Sequence, residues 1–234
     1  MLPNGRHIIP AETLFRDKIV TLNVNEIFYS IQGESTYSGK PCVFIRLTGC
    51  NLRCSYCDTQ YAYSDGEKRD IREIMDKVAL YRCRLVEVTG GEPLLQEETP
   101  HLINLLLGEG YKVLLETNGS QDIGPIDSRC VRIVDIKCPS SGEKDRNDLA
   151  NMNRLTGEDE LKFVIGDRED YEFAKDLLNL IEHGSSGKIP VHFSPSFGRM
   201  EPKELAGWIL NDRLNVRLHL QLHKYIWSPE QKGI

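Results

Sequence analysis

Three cysteines, Cys50, Cys54 and Cys57, fall within eight residues of one another in the stretch GCNLRCSYCDTQ, spaced C-x3-C-x2-C. Thiolates at that spacing are ligands for soft metals. A structural zinc site uses four ligands, commonly two C-x2-C pairs or one such pair with histidines, and only one C-x2-C is present. A redox dithiol would leave Cys50 without a role. Three thiolates on a cubane iron–sulfur cluster hold three irons and leave the fourth open to another ligand. Asp58 and Thr59 follow at once. A carboxylate beside a hydroxyl suits a hard cation such as Mg²⁺, and equally an N-cap followed by a turn. In TGGEP, Gly90 and Gly91 let a backbone pass close to a ligand, and Glu92 can accept a hydrogen bond from an ammonium group; an ordinary turn would look the same.

These residues need a scaffold, and the pattern around them supplies one. Short apolar, β-branched runs predict strands near 42–48, 85–89, 112–117, 131–137, 161–165, 189–194 and 216–222. Amphipathic segments predict helices in DIREIMDKVALYR, TPHLINLLLGEG, REDYEFAKDLLNLIEHG and EPKELAGWILND, with Gly110 and Gly184 as stops. Strand–helix alternation predicts a parallel sheet with right-handed crossovers. Six or seven strands fall short of eight, so the expected fold is α/β, an incomplete TIM-type barrel of about six parallel strands, laterally open. A strand in 22–34 leads into it, and 138–159 is polar and loop-rich, with a short helix at 147–154. Polar clusters follow nearly every strand: TGC, TGGEP, ETNG, DIKCPSS, SPS and HK. In α/β barrels that end of the sheet builds the active site.

Composition sets the boundaries. The chain of 234 residues is 40% hydrophobic, enough for one sizeable core, and is read as one domain over 1–234: a lead-in strand and substrate loop over 1–40, then the partial barrel over 41–234. A net charge of −6 argues against a nucleic-acid-coating surface. No run approaches the ~20 apolar residues that span a bilayer, and no secretory signal opens the sequence, so the expectation is a cytoplasmic protein without membrane contact. Seven cysteines fit reduced thiols rather than a disulfide framework, with Cys42, Cys83, Cys130 and Cys138 scattered as small apolar residues.

The cysteine triplet after the first barrel strand, with GGEP after the second, resembles the radical S-adenosylmethionine superfamily. That resemblance implies a 4Fe–4S cluster whose open iron is chelated by S-adenosylmethionine and whose electron releases a 5′-deoxyadenosyl radical. The stretches IQGES (31–35), FIRLTGCNLRCSYCDT (44–59), VTGGEPLLQ (88–96), ETNG (116–119), DIKCPSSG (135–142) and LQLHKYIW (220–227) narrow it to the 7-carboxy-7-deazaguanine synthase family. That family implies ring contraction of 6-carboxy-5,6,7,8-tetrahydropterin to 7-carboxy-7-deazaguanine with loss of ammonia, the cofactor being regenerated, in 7-deazapurine and queuosine biosynthesis.

The site implied by the resemblance is as follows. Ile31, Gln32, Gly33, Glu34, Arg46 and Thr89 meet the pterin, with the terminal carboxylate of Ile234 reaching in. Arg46 grips the substrate carboxylate as a bidentate partner or pairs with a surface acid. Tyr56 lies by the adenine or packs on the cluster. Asp58, Gly90, Gly91, Glu92, Asn118, Asp135, Lys137, Ser140 and Ser194 hold S-adenosylmethionine, although Lys137 could instead neutralise Glu116 or Asp135. Thr59 ligates Mg²⁺. His223 is a substrate contact or a satisfied structural histidine, with Lys224 beside it at the end of the last strand. A flavodoxin-like electron donor and a homodimer are implied. Two other readings stand beside this one: a glycyl-radical activating enzyme with a protein substrate, and a zinc-stabilised binding protein.

Overall fold

The structure, a computed structural model, describes residues 20–182, 189–228 and 231–233. Among the described residues nine strands form one sheet: β1 (Thr21–Ile31), β2 (Pro41–Leu47), β3 (Glu67–Asp70), β4 (Leu85–Gly90), β5 (Lys112–Thr117), β6 (Val131–Ile136), β7 (Glu160–Ile165), β8 (Val191–Pro195) and β9 (Arg217–Leu218). Their order is β3-β1-β2-β4-β5-β6-β7-β8-β9, so the outer strands β3 and β9 do not pair and the sheet stays open. From β2 to β9 every neighbour is parallel, while β1 joins β2, and β3 joins β1, antiparallel. This is the expected partial barrel, with an antiparallel edge added.

Helices α1 (Ile71–Leu80), α2 (Thr99–Gly108), α3 (Arg168–Glu182) and α4 (Pro202–Asp212) cover the outer face, and a short α5 (His223–Ile226) closes the chain. Asp70 caps α1 by accepting from Arg72 N. At the end of α2 Gly110 takes φ +78°, the left-handed conformation glycine adopts without strain, and the Tyr111 N–H returns to Leu106 O at 3.1 Å. Gly184 lies outside the described residues.

Side-chain alternation divides the sheet into two chemistries. Outward residues of β4 and β5 (Val86, Val88, Val113, Leu115) pack with α1 and α2; those of β6 to β8 (Val134, Ile136, Leu161, Phe163, Phe193) pack against Tyr171 and Leu205 of α3 and α4. Two residues apart on the other face stand Glu87 and Thr89, Glu160 and Lys162, His192 and Ser194, all buried. Charged groups are rarely buried unless paired, so this interior has to be a bonded network.

Two expectations change. β3, four charged residues reading Glu-Lys-Arg-Asp, shows no apolar alternation and exists because β1 offers it an open edge. The strand expected over 216–222 forms only at Arg217–Leu218. Beyond it the backbone leaves β8, Leu222 N donates to Gly33 O at 3.0 Å, and His223 and Lys224 begin α5 instead of ending a strand. The loop-rich 138–159 holds 3-10 turns, the last at Leu149–Arg154.

Candidate active site

A cavity of about 810 Å³ opens at the carboxyl ends of the parallel strands, with the loops after β2, β4, β5 and β6 around it. Cys50, Cys54 and Cys57 form one wall. No three His, Cys, Asp or Glu side chains among the described residues gather closely enough to grip a single metal ion. Leu52 N donates to Cys50 Sγ at 3.4 Å and Asn118 Nδ2 reaches the same sulfur at 3.9 Å, the kind of contact that tunes a cluster's potential. Burial pushes the Cys54 thiol up to about 11 and raises Cys50 as well.

The next loop is fitted to this wall at backbone distance. A Cβ on Gly91 would stand 2.1 Å from Gly49 O and 2.8 Å from Cys50 Cβ, and Gly90 takes φ +154°. Glu92 N donates to Gly49 O at 2.7 Å. Only glycine allows the GGEP turn to lie against the cysteine loop. The Glu92 carboxylate turns away from the cavity: it is wholly buried and accepts from Leu94 N, Thr117 Oγ1 and Asn118 N. Its expected place beside a ligand ammonium is thus a cap that ties β4 to β5, and burial raises its pKa despite those donors.

Two buried polar atoms at the cavity are left without a partner among the described residues. The Tyr56 hydroxyl and Asp135 Oδ1 have no hydrogen-bond partner among the described residues, and both residues line the cavity. Asp135 Oδ2 accepts from Lys137 Nζ at 2.8 Å, so Lys137 neutralises Asp135, whereas Glu116 is met by Lys162 at 2.8 Å. Unpaired hydroxyl and carboxylate oxygens beside three thiols suit the ribose of S-adenosylmethionine next to a cluster, and the donor set fits both groups. Asn118 also lines the cavity. Ser140 and Ser194 do not: Ser140 donates to Asp170 Oδ2 at 2.5 Å, and Ser194 donates to His219 O at 2.8 Å. The proton of each hydroxyl is committed to a contact inside the fold.

The opposite wall comes from the loop between β1 and β2. Ile31, Gln32, Gly33 and Glu34 line it, with Arg46 and Thr89. Gln32 Nε2 donates to Glu87 Oε2 and Glu34 pairs with Lys162. Burial, then Glu116 and Glu34, raise the Glu87 pKa well above the ordinary glutamate value and so favour its protonated form. Burial opposes the charge on Glu34, but Lys162 and His223 outweigh it and keep the carboxylate ionised. Arg46 Nε is 2.8 Å from Glu26 Oε1, and that oxygen also takes the Tyr61 hydroxyl at 2.9 Å. The pairing with an acid is therefore real, and the guanidinium still lines the cavity. His223 fills the space over Gly33, where a Cβ would come within 2.2 Å of Nδ1. Thr59 donates to Asp58 Oδ1 at 2.9 Å, and Lys224 Nζ lies 2.5 Å from Asp58 Oδ2. Lys232 and Gly233 reach the rim, while Ile234 lies outside the described residues.

Sequence reasoning missed Glu87, Lys162 and Gln221, which all line the cavity. A charged residue at an interior step of an otherwise apolar strand, as in LVEVT and LKFVI, was the available signal.

Residues 44–186 match the family model of the Radical SAM superfamily. The chain is 46% identical over 228 residues to a 7-carboxy-7-deazaguanine synthase of Koribacter versatilis, covering 91% of this chain and 100% of that one. It is 48% identical over 216 residues to the enzyme of that name from Chlorobaculum tepidum, covering 91% and 97%. The crystal structure of QueE from Escherichia coli superposes with a TM-score of 0.68 at 22% identity, over 87% of this chain and 95% of that one, which supports the fold. The chain belongs to the 7-carboxy-7-deazaguanine synthase family within the Radical SAM superfamily.

Proposed function

We propose that this protein converts 6-carboxy-5,6,7,8-tetrahydropterin to 7-carboxy-7-deazaguanine and ammonia, for 7-deazapurine and queuosine biosynthesis. The observation that carries the reading is one cavity with a three-thiol wall on one side and the Gln32–Glu34 loop with Arg46 on the other. Substrate and product differ by the elements of ammonia, so there is no net redox change and the S-adenosylmethionine can be returned unspent. As a Radical SAM protein the chain takes a 4Fe–4S cluster, and cluster and S-adenosylmethionine together supply the adenosyl radical that abstracts hydrogen.

The chain's own residues bind and orient. Gln32 and the ionised Glu34 accept from the donors on the pterin ring, and Arg46 takes the substrate carboxylate by charge-assisted hydrogen bonds. Glu87 accepts from the Gln32 amide nitrogen and so fixes which way that amide faces. Tyr56 and Asp135 offer their free oxygens to the ribose. Thr59 supplies a hydroxyl oxygen to Mg²⁺, a cation that keeps most of its waters. No helix among the described residues is long and apolar enough to cross a membrane. One domain over 1–234, working in the cytoplasm as a homodimer with a flavodoxin-like reductant, completes the proposal, on the resemblance stated above.

The test is anaerobic turnover of the reconstituted protein with the carboxylated tetrahydropterin, with and without Mg²⁺. A deazapurine chromophore is expected. Its absence, with the cluster loaded and S-adenosylmethionine cleaved, overturns the reading and favours a protein substrate.

A further inference from the structure

The loop that carries Gln32 and Glu34 is fastened at a point the reaction does not use. Its ends are tied to each other, with Gln32 N donating to Lys40 O at 2.8 Å and Gly39 N to Gln32 O at 2.8 Å. It therefore moves as a unit unless something outside it sets its position. On its far side Thr36, exposed at the lower rim of the barrel, turns its N–H onto Glu160 Oε2 at 3.0 Å and its hydroxyl onto Glu160 Oε1 at 2.5 Å. Glu160 is only 1% exposed and opens β7, across the interior from β1 and β2. His192 of β8 lies beside this carboxylate, Nε2 2.8 Å from Glu160 Oε2 but not aligned for a hydrogen bond, and packs edge-on against His219, ring centroids 4.9 Å apart.

A buried carboxylate backed by an imidazole is a costly way to fasten a surface loop, and apolar packing would hold it at least as firmly. What the polar clamp adds is direction. Two donors from one residue onto two oxygens fix both height and rotation of the turn, and the turn needs it: Ser35 sits at φ +63°, a conformation unfavourable for a residue with a Cβ. One residue before that turn, Glu34 engages Lys162, which stands two residues beyond Glu160 on the same strand. The anchor and the ligand-facing contact thus share one rigid strand.

We propose that Glu160, backed by His192, is a positioning residue for the substrate: through Thr36 it sets where Gln32 and Glu34 present themselves to the pterin, without touching it. The inference rests on the function proposed above. The variant Glu160→Gln replaces one of the two acceptor oxygens with an amide NH₂, Thr36→Val removes the hydroxyl donor and leaves only the backbone N–H, and Thr36→Ser keeps both donors.

Hydrogen exchange of the substrate-free holoprotein reads the anchor directly. Amides of 32–39 exchange about tenfold faster in both disruptive variants, while those of β4 and β5 do not change. In turnover, KM for the pterin rises at least about tenfold in both, the scale of one lost charge-assisted hydrogen bond, with Thr36→Ser near wild type. Iron content and dithionite-driven cleavage of S-adenosylmethionine without pterin stay within about twofold. Unchanged exchange over 32–39 overturns the anchor, and so does an unchanged KM with only a lower melting temperature, or an equal loss of pterin-free cleavage. If wild type makes no deazapurine, the proposed function falls, while the exchange result still decides whether Glu160 holds the loop.

Discussion

Lys224 Nζ lies 2.5 Å from Asp58 Oδ2, and Thr59 donates to the other oxygen of that carboxylate at 2.9 Å. Asp58 is thereby occupied by a cation of the chain itself. The Thr59 hydroxyl gives its proton to that carboxylate and so keeps its own lone pairs for a cation. Thr59→Ala should raise the Mg²⁺ concentration for half-maximal turnover at least about tenfold, with iron content unchanged, and Thr59→Ser should restore it. A metal titration of initial rates checks this, and an unaltered magnesium response removes Thr59 from the role.

Glu87 gives a pH signature with a defined sign. Its folded pKa is raised from 4.5, so above about pH 4.5 the folded protein keeps a proton that the unfolded chain releases. Stability falls with rising pH across that window, by up to about 1.4 kcal/mol per pH unit for this one group. Glu87→Gln keeps a neutral acceptor for Gln32 and removes the titration. Chemical denaturation at pH 6 and pH 8 should show a smaller loss in the variant than in wild type.

Two glycines should respond in opposite ways. Gly91→Ala would drive a Cβ to 2.1 Å from the Gly49 carbonyl, a backbone atom that cannot swing aside, so reconstituted cluster content should drop severalfold. Gly108, in the last turn of α2, has nothing within 4 Å of a built Cβ. Gly108→Ala should stabilise by about 0.5–1 kcal/mol with full cluster loading. Iron analysis and melting curves distinguish them.

Arg132 and Asp159 form a buried, two-point pair, Nε to Oδ1 at 3.0 Å and Nη2 to Oδ2 at 2.5 Å, with side chains 5% and 1% exposed. Replacing Arg132 with Ala leaves a buried carboxylate alone, at a cost of about 3–5 kcal/mol. Burial opposes the charge on Asp159, but Arg132 and the Thr156 amide lower its pKa. Its contribution is therefore present above the ordinary aspartate range and lost as pH falls through the folded value. Urea unfolding at neutral and acid pH measures both.

Much of this was legible in the linear chain. The triplet Cys50, Cys54, Cys57 needs only its own loop to be a ligand set, and strand alternation announces a parallel sheet because hydrophobic periodicity is local. Position at or just past the carboxyl end of a strand placed Thr89, Asn118 and Asp135 at the cavity by the same logic. It failed for Ser140 and Ser194, since a hydroxyl bonds to whichever acceptor is nearest, here Asp170 and the His219 carbonyl. Glu92 was placed on the right loop but its carboxylate faces the wrong way, for the backbone donors of Leu94 and Asn118 captured it.

The sequence alone determined the chemistry: three thiols at a spacing that leaves one corner of a cluster free, on a strand–helix repeat. Only the tertiary structure decided which interior charges meet. Glu34 with Lys162, Gln32 with Glu87 and Thr36 with Glu160 lie 128, 55 and 124 residues apart in the chain. Those partners depend on the curvature of an open sheet and on a loop entering it from outside, and no local pattern encodes either.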